Sequence, residues 1–164
     1  MFGDMYITNL KNFVGAIKIN PAFYEALKMQ SLMFDTAWNA KSNDMFVIAD
    51  VKRGDTGKTA IELAKTYLDV YSPIDAITIN PYFGLDGVKP FVDYAIKNGK
   101  GVIVVVKTPN KSADDFQNLR VEDGRKLYEV VADKVEEWGE RYRVRSPACG
   151  SHPMPVPSRS RFWS

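Results

Sequence analysis

Apolar and polar positions follow two alternating rhythms along this chain. Short, nearly unbroken apolar runs rich in β-branched residues fill 13–19, 45–51, 76–80 and 101–107. Between them, apolar residues return at helical spacing. Phe23, Leu27, Leu32, Phe34 and Trp38 form a stripe between Asn20-Pro21 and the break at Ser42-Asn43-Asp44, and Ile61, Ala64 and Leu68 form another before Ser72-Pro73. A third helix is expected over 88–97, closed by Asn98-Gly99, and a fourth over 123–141 with Leu127, Val130, Val131, Val135 and Trp138 inward. Asn20 followed by Pro21 reads as an N-cap with proline at the first helical position. Residues 1–12 have no clear period and read as an irregular lead-in, and 108–119 as a polar loop.

Four strands alternating with four helices make an α/β chain of βα units. Continuous β-branched runs fit a parallel sheet covered on both sides. Two architectures remain, an open doubly wound sheet and part of a (β/α)8 TIM barrel, and both put functional groups at strand C-termini. Each strand here runs into a polar cluster: Lys18, Asp50 with Lys52, Asn80, and Lys107 with Thr108. That recurrence favours a partial barrel, where several strand ends converge on one site.

Composition narrows the picture in three places. Residues 1–140 carry 17 Lys and Arg against 20 Asp and Glu, whereas 141–164 carry five Arg and no acid, so the basic balance belongs to the tail and argues little for nucleic-acid binding. The tail also switches from lysine to arginine and gathers four prolines. We therefore divide the chain at 140, into a partial-barrel domain over 1–140 and an irregular tail over 141–164 that is disordered or translated out of frame. One cysteine, Cys149, excludes an internal disulfide framework, and the only histidine is His152, so both are incidental residues of the tail. No apolar run approaches the ~20 residues of a membrane span, and the start lacks a signal-peptide pattern. The expectation is a cytoplasmic protein without membrane or nucleic-acid partners.

The densest chemistry lies in 46–59. Asp50 and Lys52 are two apart on a strand and share a face, while Asp55 follows Gly54 and need not point with them. Gly54-Asp-Thr-Gly57-Lys58-Thr59 resembles the end of a phosphate loop, but the glycine needed five positions before Gly57 is replaced by Lys52. Asp50 and Asp55 together could hold magnesium, although Lys52 and Arg53 would compete for the acids. A relay of Lys18, Asp50, Lys52 and Asp55 ranks higher. Acids and lysines crowded at strand ends keep a lysine protonated beside a carboxylate, stress a second carboxylate brought there, and let the ammonium donate a proton where it leaves.

Asp50-Val-Lys52-Arg-Gly-Asp55 resembles the Asp-x-Lys-x-x-Asp signature of orotidine 5'-phosphate decarboxylases. Ile48-Ala, Thr59-Ala, Ala64-Lys-Thr-Tyr-Leu, Asp75-Ala-Ile-Thr-Ile-Asn-Pro-Tyr, Val106-Lys-Thr-Pro-Asn and Leu127-Tyr-Glu-Val-Val-Ala are similar to the longer bacterial branch, in the same order, over about residues 10–140. The resemblance implies a (β/α)8 homodimer that removes CO2 from orotidine 5'-monophosphate to give UMP, in pyrimidine biosynthesis, with no cofactor and no metal. It makes Lys18, Asp50, Lys52 and Asp55 the catalytic residues, with Asp50 facing the substrate carboxylate and Lys52 giving a proton to C6. Asp55 and Thr59 would reach the partner subunit's site, and Thr108 would contact the pyrimidine. Thr56 and Pro109 stand where the branch usually has isoleucine and serine. The ribose aspartate has no counterpart before Phe13, and the pattern that leads to the phosphate-gripping loops ends at about Glu140. The other readings are a magnesium-dependent relative with the same signature acting on a sugar phosphate, and an inactive partial barrel that only pairs with another chain.

Overall fold

The computed structural model describes residues 2–142. In chain order they form α1 (Phe2–Leu10), β1 (Ala16–Ile19), α2 (Ala22–Ala26), α3 (Gln30–Lys41), β2 (Phe46–Arg53), α4 (Gly57–Leu68), β3 (Ala76–Ile79), α5 (Gly84–Lys97), β4 (Gly101–Val104) and α6 (Leu127–Arg141), with a 3-10 turn, Lys111–Asp115, ahead of α6. The four strands make one parallel sheet in the order β1-β2-β3-β4, so each helical connection returns the chain to the next neighbouring strand. This is the winding of an α/β barrel over about half its circumference. The tail expected over 141–164, with Cys149 and His152, lies outside the described residues beyond Tyr142. No described helix is long and apolar enough to cross a membrane.

Register separates the sheet into two faces. Ile17 pairs with Val47, and Ile19, Ala49, Ile77 and Val102 lie in one row across the strands. These residues face the helices and, with Ile79, belong to the main apolar cluster or pack against it. Ala60, Ala64 and Leu68 of α4 and Val88, Phe91 and Ala95 of α5 close over them. Small residues on α4 let the two helices approach each other and the strands closely. Each fully buried Ile, Leu or Phe there contributes roughly 1.5–3 kcal/mol through apolar burial. The opposite row, Lys18, Ile48, Ala76 and Gly101, faces what is the interior of a barrel. Ile103 of that face is 42% exposed whereas Ala76 and Thr78 are buried, so the sheet is covered on both sides at β3 and opens on this side along β4.

The structure departs from the sequence expectations at the first helix, the first strand, the α2–α3 break and the start of the last helix. Within the stretch 1–12, expected to be irregular, Phe2–Leu10 form α1, whose Ile7 is buried and whose Gly3 lies against Thr36 of α3. The first strand begins at Ala16 rather than Phe13, which is exposed. The single helix expected up to Ala40 is two. Lys28 adopts a left-handed φ of 54°, Met29 N–H donates to Tyr24 O and Lys28 N–H to Glu25 O. That paired closure ends α2. The break rotates α3, so Met33, Thr36, Ala37 and Ala40 turn inward while Phe23, Leu27 and Trp38 stay exposed. The last helix starts at Leu127 instead of Asp123, because Val121 N–H bonds Arg125 O in a turn and Glu129 caps the Lys126 N–H. None of its side chains is fully buried.

Candidate active site

The site grows out of an irregularity in β2. The strand climbs through buried Val47, Ala49, Asp50 and Val51, and pairing with β3 passes from Ala49↔Ile77 to Arg53↔Ile79, so four steps on β2 face two on β3. A bulge of this kind re-aims side chains at the end of a strand. Within it Lys52 takes a left-handed φ of 46°, a conformation that costs a non-glycine residue about 1–3 kcal/mol. Pairing resumes immediately, with Asn80 N–H donating to Arg53 O at 2.7 Å.

The distortion brings three of the candidate residues together. Lys52 Nζ donates to Asp50 Oδ1 at 2.7 Å, and Lys18 Nζ, from β1, donates to Asp50 Oδ2 at 2.9 Å. The Asp50 side chain is 8% exposed, while those of Lys18 and Lys52 are 60% and 51% exposed. A nearly buried carboxylate is therefore gripped from both sides by ammonium groups that still meet solvent. Burial alone pushes the Asp50 carboxyl up. Hydrogen bonds from Lys52, Lys18 and Thr78, with the Lys18 charge, outweigh it and hold the group at about 2.

One partner was not singled out by the sequence. Thr78 Oγ1 donates to Asp50 Oδ1 at 2.9 Å and accepts the Lys52 N–H at 2.9 Å. Threonine is ordinary in a strand. Its one signal is that β3 is buried at all four positions, and a buried hydroxyl needs a partner. Arg53 and Glu25 of α2 also pair, at 2.6 Å, beside the same site. Together with Asn20, Pro21, Asp50 and Lys52 they line a hollow of ≈ 220 Å³. A larger hollow of ≈ 770 Å³ lies between α4 and α5 and touches none of Lys18, Asp50 and Lys52. Of the two, the smaller is the one lined by Asp50 and Lys52.

None of the described hydrogen bonds or ion pairs joins the remaining candidates to this cluster. The Asp55 carboxylate accepts the Thr56 N–H at 2.7 Å, and Thr59 is exposed in the first turn of α4. Asp55 is placed by close packing behind it: a Cβ on Gly87 would come within 3.2 Å of Asp55 O and 2.5 Å of Phe83 Cβ. No cluster of three or more metal-ligating side chains occurs among the described residues. Thr108 follows β4 by four residues, in a loop. Its N–H donates to Gln117 Oε1, Gln117 Nε2 donates to its hydroxyl, and the hydroxyl donates to Asn110 Oδ1. Asn80 accepts the Tyr82 N–H, and Lys107 lies 4.4 Å from the centre of the Tyr128 ring, so neither strand-end residue enters the cluster.

The pattern of the family described as "Orotidine 5'-phosphate decarboxylase / HUMPS family" matches residues 5–152. A protein named orotidine 5'-phosphate decarboxylase from Clostridium perfringens (strain SM101 / Type A) is 40% identical over 127 residues, which are 76% of this chain and 44% of that protein. One of the same name from Clostridium acetobutylicum is 33% identical over 147 residues, 88% of this chain and 51% of that protein. The chain spans about half the length of the curated relatives it matches. Among solved structures, OMP decarboxylase of Leishmania donovani superposes with a TM-score of 0.71 at 33% identity, covering 84% of this chain and 54% of that one. UMP synthase of Leishmania donovani gives 0.75 at 34%, covering 84% and 30%.

Proposed function

The chain belongs to the orotidine 5'-phosphate decarboxylase / HUMPS family, and from that premise we propose that its Lys18–Asp50–Lys52 cluster decarboxylates orotidine 5'-monophosphate to UMP. The observation that carries the reading is the single carboxylate held between two solvent-reaching ammonium groups. Asp50 stays ionised far below neutrality, so a substrate carboxylate set against it meets a fixed negative charge. Departure of neutral CO2 relieves that repulsion, and such relief accelerates the reaction because it is larger in the transition state than in the bound substrate. The C6–carboxylate bond breaks with its electron pair left on C6. Lys52, whose ammonium is fixed by Asp50 Oδ1, gives C6 a proton, and solvent restores it. Lys18 keeps Asp50 in place and offers a second positive charge at the mouth of the site.

Asp55 and Thr59 have a different task in this reading. They lie at and just after the exposed start of α4, and none of the described hydrogen bonds or ion pairs joins them to Lys18, Asp50 or Lys52. Their role is to complete the site of a second copy in a homodimer. Thr108, fixed by Gln117, is the pyrimidine contact. The test is the loss of orotidylate absorbance on incubation with the chain, with and without EDTA, beside Lys52→Ala. Turnover by the parent that survives EDTA and falls about 10²–10⁴-fold in the variant, the usual worth of a positioned proton donor, is the expected result. A folded parent without turnover, or a Lys52→Ala variant as active as the parent, overturns the reading.

A further inference from the structure

We propose that Thr78 is a positioning residue of this site, its hydroxyl tying the backbone of Lys52 to the carboxylate that grips the Lys52 ammonium. The inference rests on the proposed decarboxylase reading for its kinetic consequence, but not for its geometry. The bulge in β2 takes the Lys52 N–H out of the regular ladder between Ala49↔Ile77 and Arg53↔Ile79, and a backbone N–H that leaves a ladder needs another acceptor. Thr78 Oγ1 supplies it at 2.9 Å.

The hydroxyl has one proton to give. Asp50, ionised, can only accept, so that proton goes to Asp50 Oδ1, 2.9 Å away. The same oxygen accepts Lys52 Nζ at 2.7 Å. The four groups close a ring that runs from the Lys52 backbone through Thr78 and Asp50 to the Lys52 side chain. Both ends of the lysine are therefore fixed, although half of its side chain meets solvent. Thr78 itself is 8% exposed and sits on a strand buried throughout, so the anchor is rigid. Without it, the left-handed φ of Lys52 loses the bond that balances its strain, and Asp50 loses one of the three hydrogen bonds that keep it ionised against burial.

Thr78→Val keeps the shape and removes the hydroxyl, Thr78→Ser keeps the hydroxyl and removes the methyl, and Thr78→Ala removes both without adding bulk. Orotidylate turnover and the titration of the Asp50 side-chain carboxyl by ¹³C NMR are measured in each, with circular dichroism to confirm folding. Thr78→Val is expected to lose about 10–100-fold in kcat, the cost of a small misplacement of a reacting group, with KM little changed and the Asp50 midpoint raised. Thr78→Ser is expected to stay close to the parent in both. Thr78→Ala stands in if the valine variant does not fold, with the same losses expected. Parent-like kcat and an unmoved Asp50 midpoint in a folded variant lacking the hydroxyl overturn the proposal. So does a serine variant as impaired as the valine one. If the parent itself turns over no orotidylate, the decarboxylase reading fails, while the Asp50 titration across the three variants still decides the role of Thr78.

Discussion

Along β2, Val47, Ala49 and Val51 turn toward the helices and are buried, while Ile48, Asp50 and Lys52 turn the other way. The first set belongs with Ala60, Ala64 and Leu68 to one buried apolar cluster, where an added polar atom is costly unless it finds a partner. The second set meets Lys18, Thr78 and solvent, and there even the backbone departs from regular pairing. One strand thus supplies rigidity on one face and strained, charged chemistry on the other. The covered face is what makes the distortion at Lys52 affordable, since strain of this size persists only when its surroundings over-determine it.

Substitutions on the two faces should have opposite consequences. Lys52→Ala is expected to lower orotidylate turnover by about 10²–10⁴-fold while lowering the urea midpoint less than truncation of a buried apolar residue does, because Lys18 and Thr78 still hold Asp50. Ile77→Ala, on the covered face, is expected to do the reverse. It empties a fully buried position and should lower unfolding free energy by about 2–5 kcal/mol, read from urea unfolding by circular dichroism. A Lys52→Ala variant that unfolds as readily as Ile77→Ala would show that the charged face also holds the fold together.

The sequence exposed the covered face and the parallel winding well, because period, strand length and chain order all follow from burial. It exposed Asp50 and Lys52 through strand alternation, and Lys18 through its place after an apolar run. What stayed hidden depended on backbone conformations that residue type does not announce. Gly99 and Asp44 end α5 and α3 in left-handed conformations, at breaks the sequence marked. Lys28 does the same after α2 without any such mark, and of the stripe expected over 20–40 Phe34 packs against the core while Phe23, Leu27 and Trp38 stay exposed. The bulge at Lys52 and its clasp by Thr78 were hidden for the same reason, as register is a property of two strands together.

A smaller effect separates Asp50 from its surroundings by pH. Its folded carboxyl titrates at about 2, below its ordinary value of 3.8. A depressed group contributes stability that is complete above the unfolded pKa and is lost as pH falls through the folded one. Between about pH 4 and pH 2 the parent should therefore lose about 2 kcal/mol attributable to Asp50. Asp50→Asn should lack that component, measured as the difference in urea-unfolding free energy at pH 5 and pH 2.5. Equal pH dependence in the two proteins would mean that the ion pairs with Lys18 and Lys52 do not form in solution.

The smallest effect is expected on the open side of β4. Ile103 shares the face of Thr78, pairs with it in register, and is 42% exposed, whereas Ile77 beside it on the covered face is fully buried. Ile103→Thr keeps β-branching and adds a hydroxyl where solvent can satisfy it, so the change in stability should stay within about 0.5 kcal/mol. Sedimentation at rising concentration supplies the control. If the substitution instead costs as much as Ile77→Ala and the penalty grows with protein concentration, this face is buried against a second copy in solution. The contrast between the two faces would then belong to the isolated chain and not to its assembly.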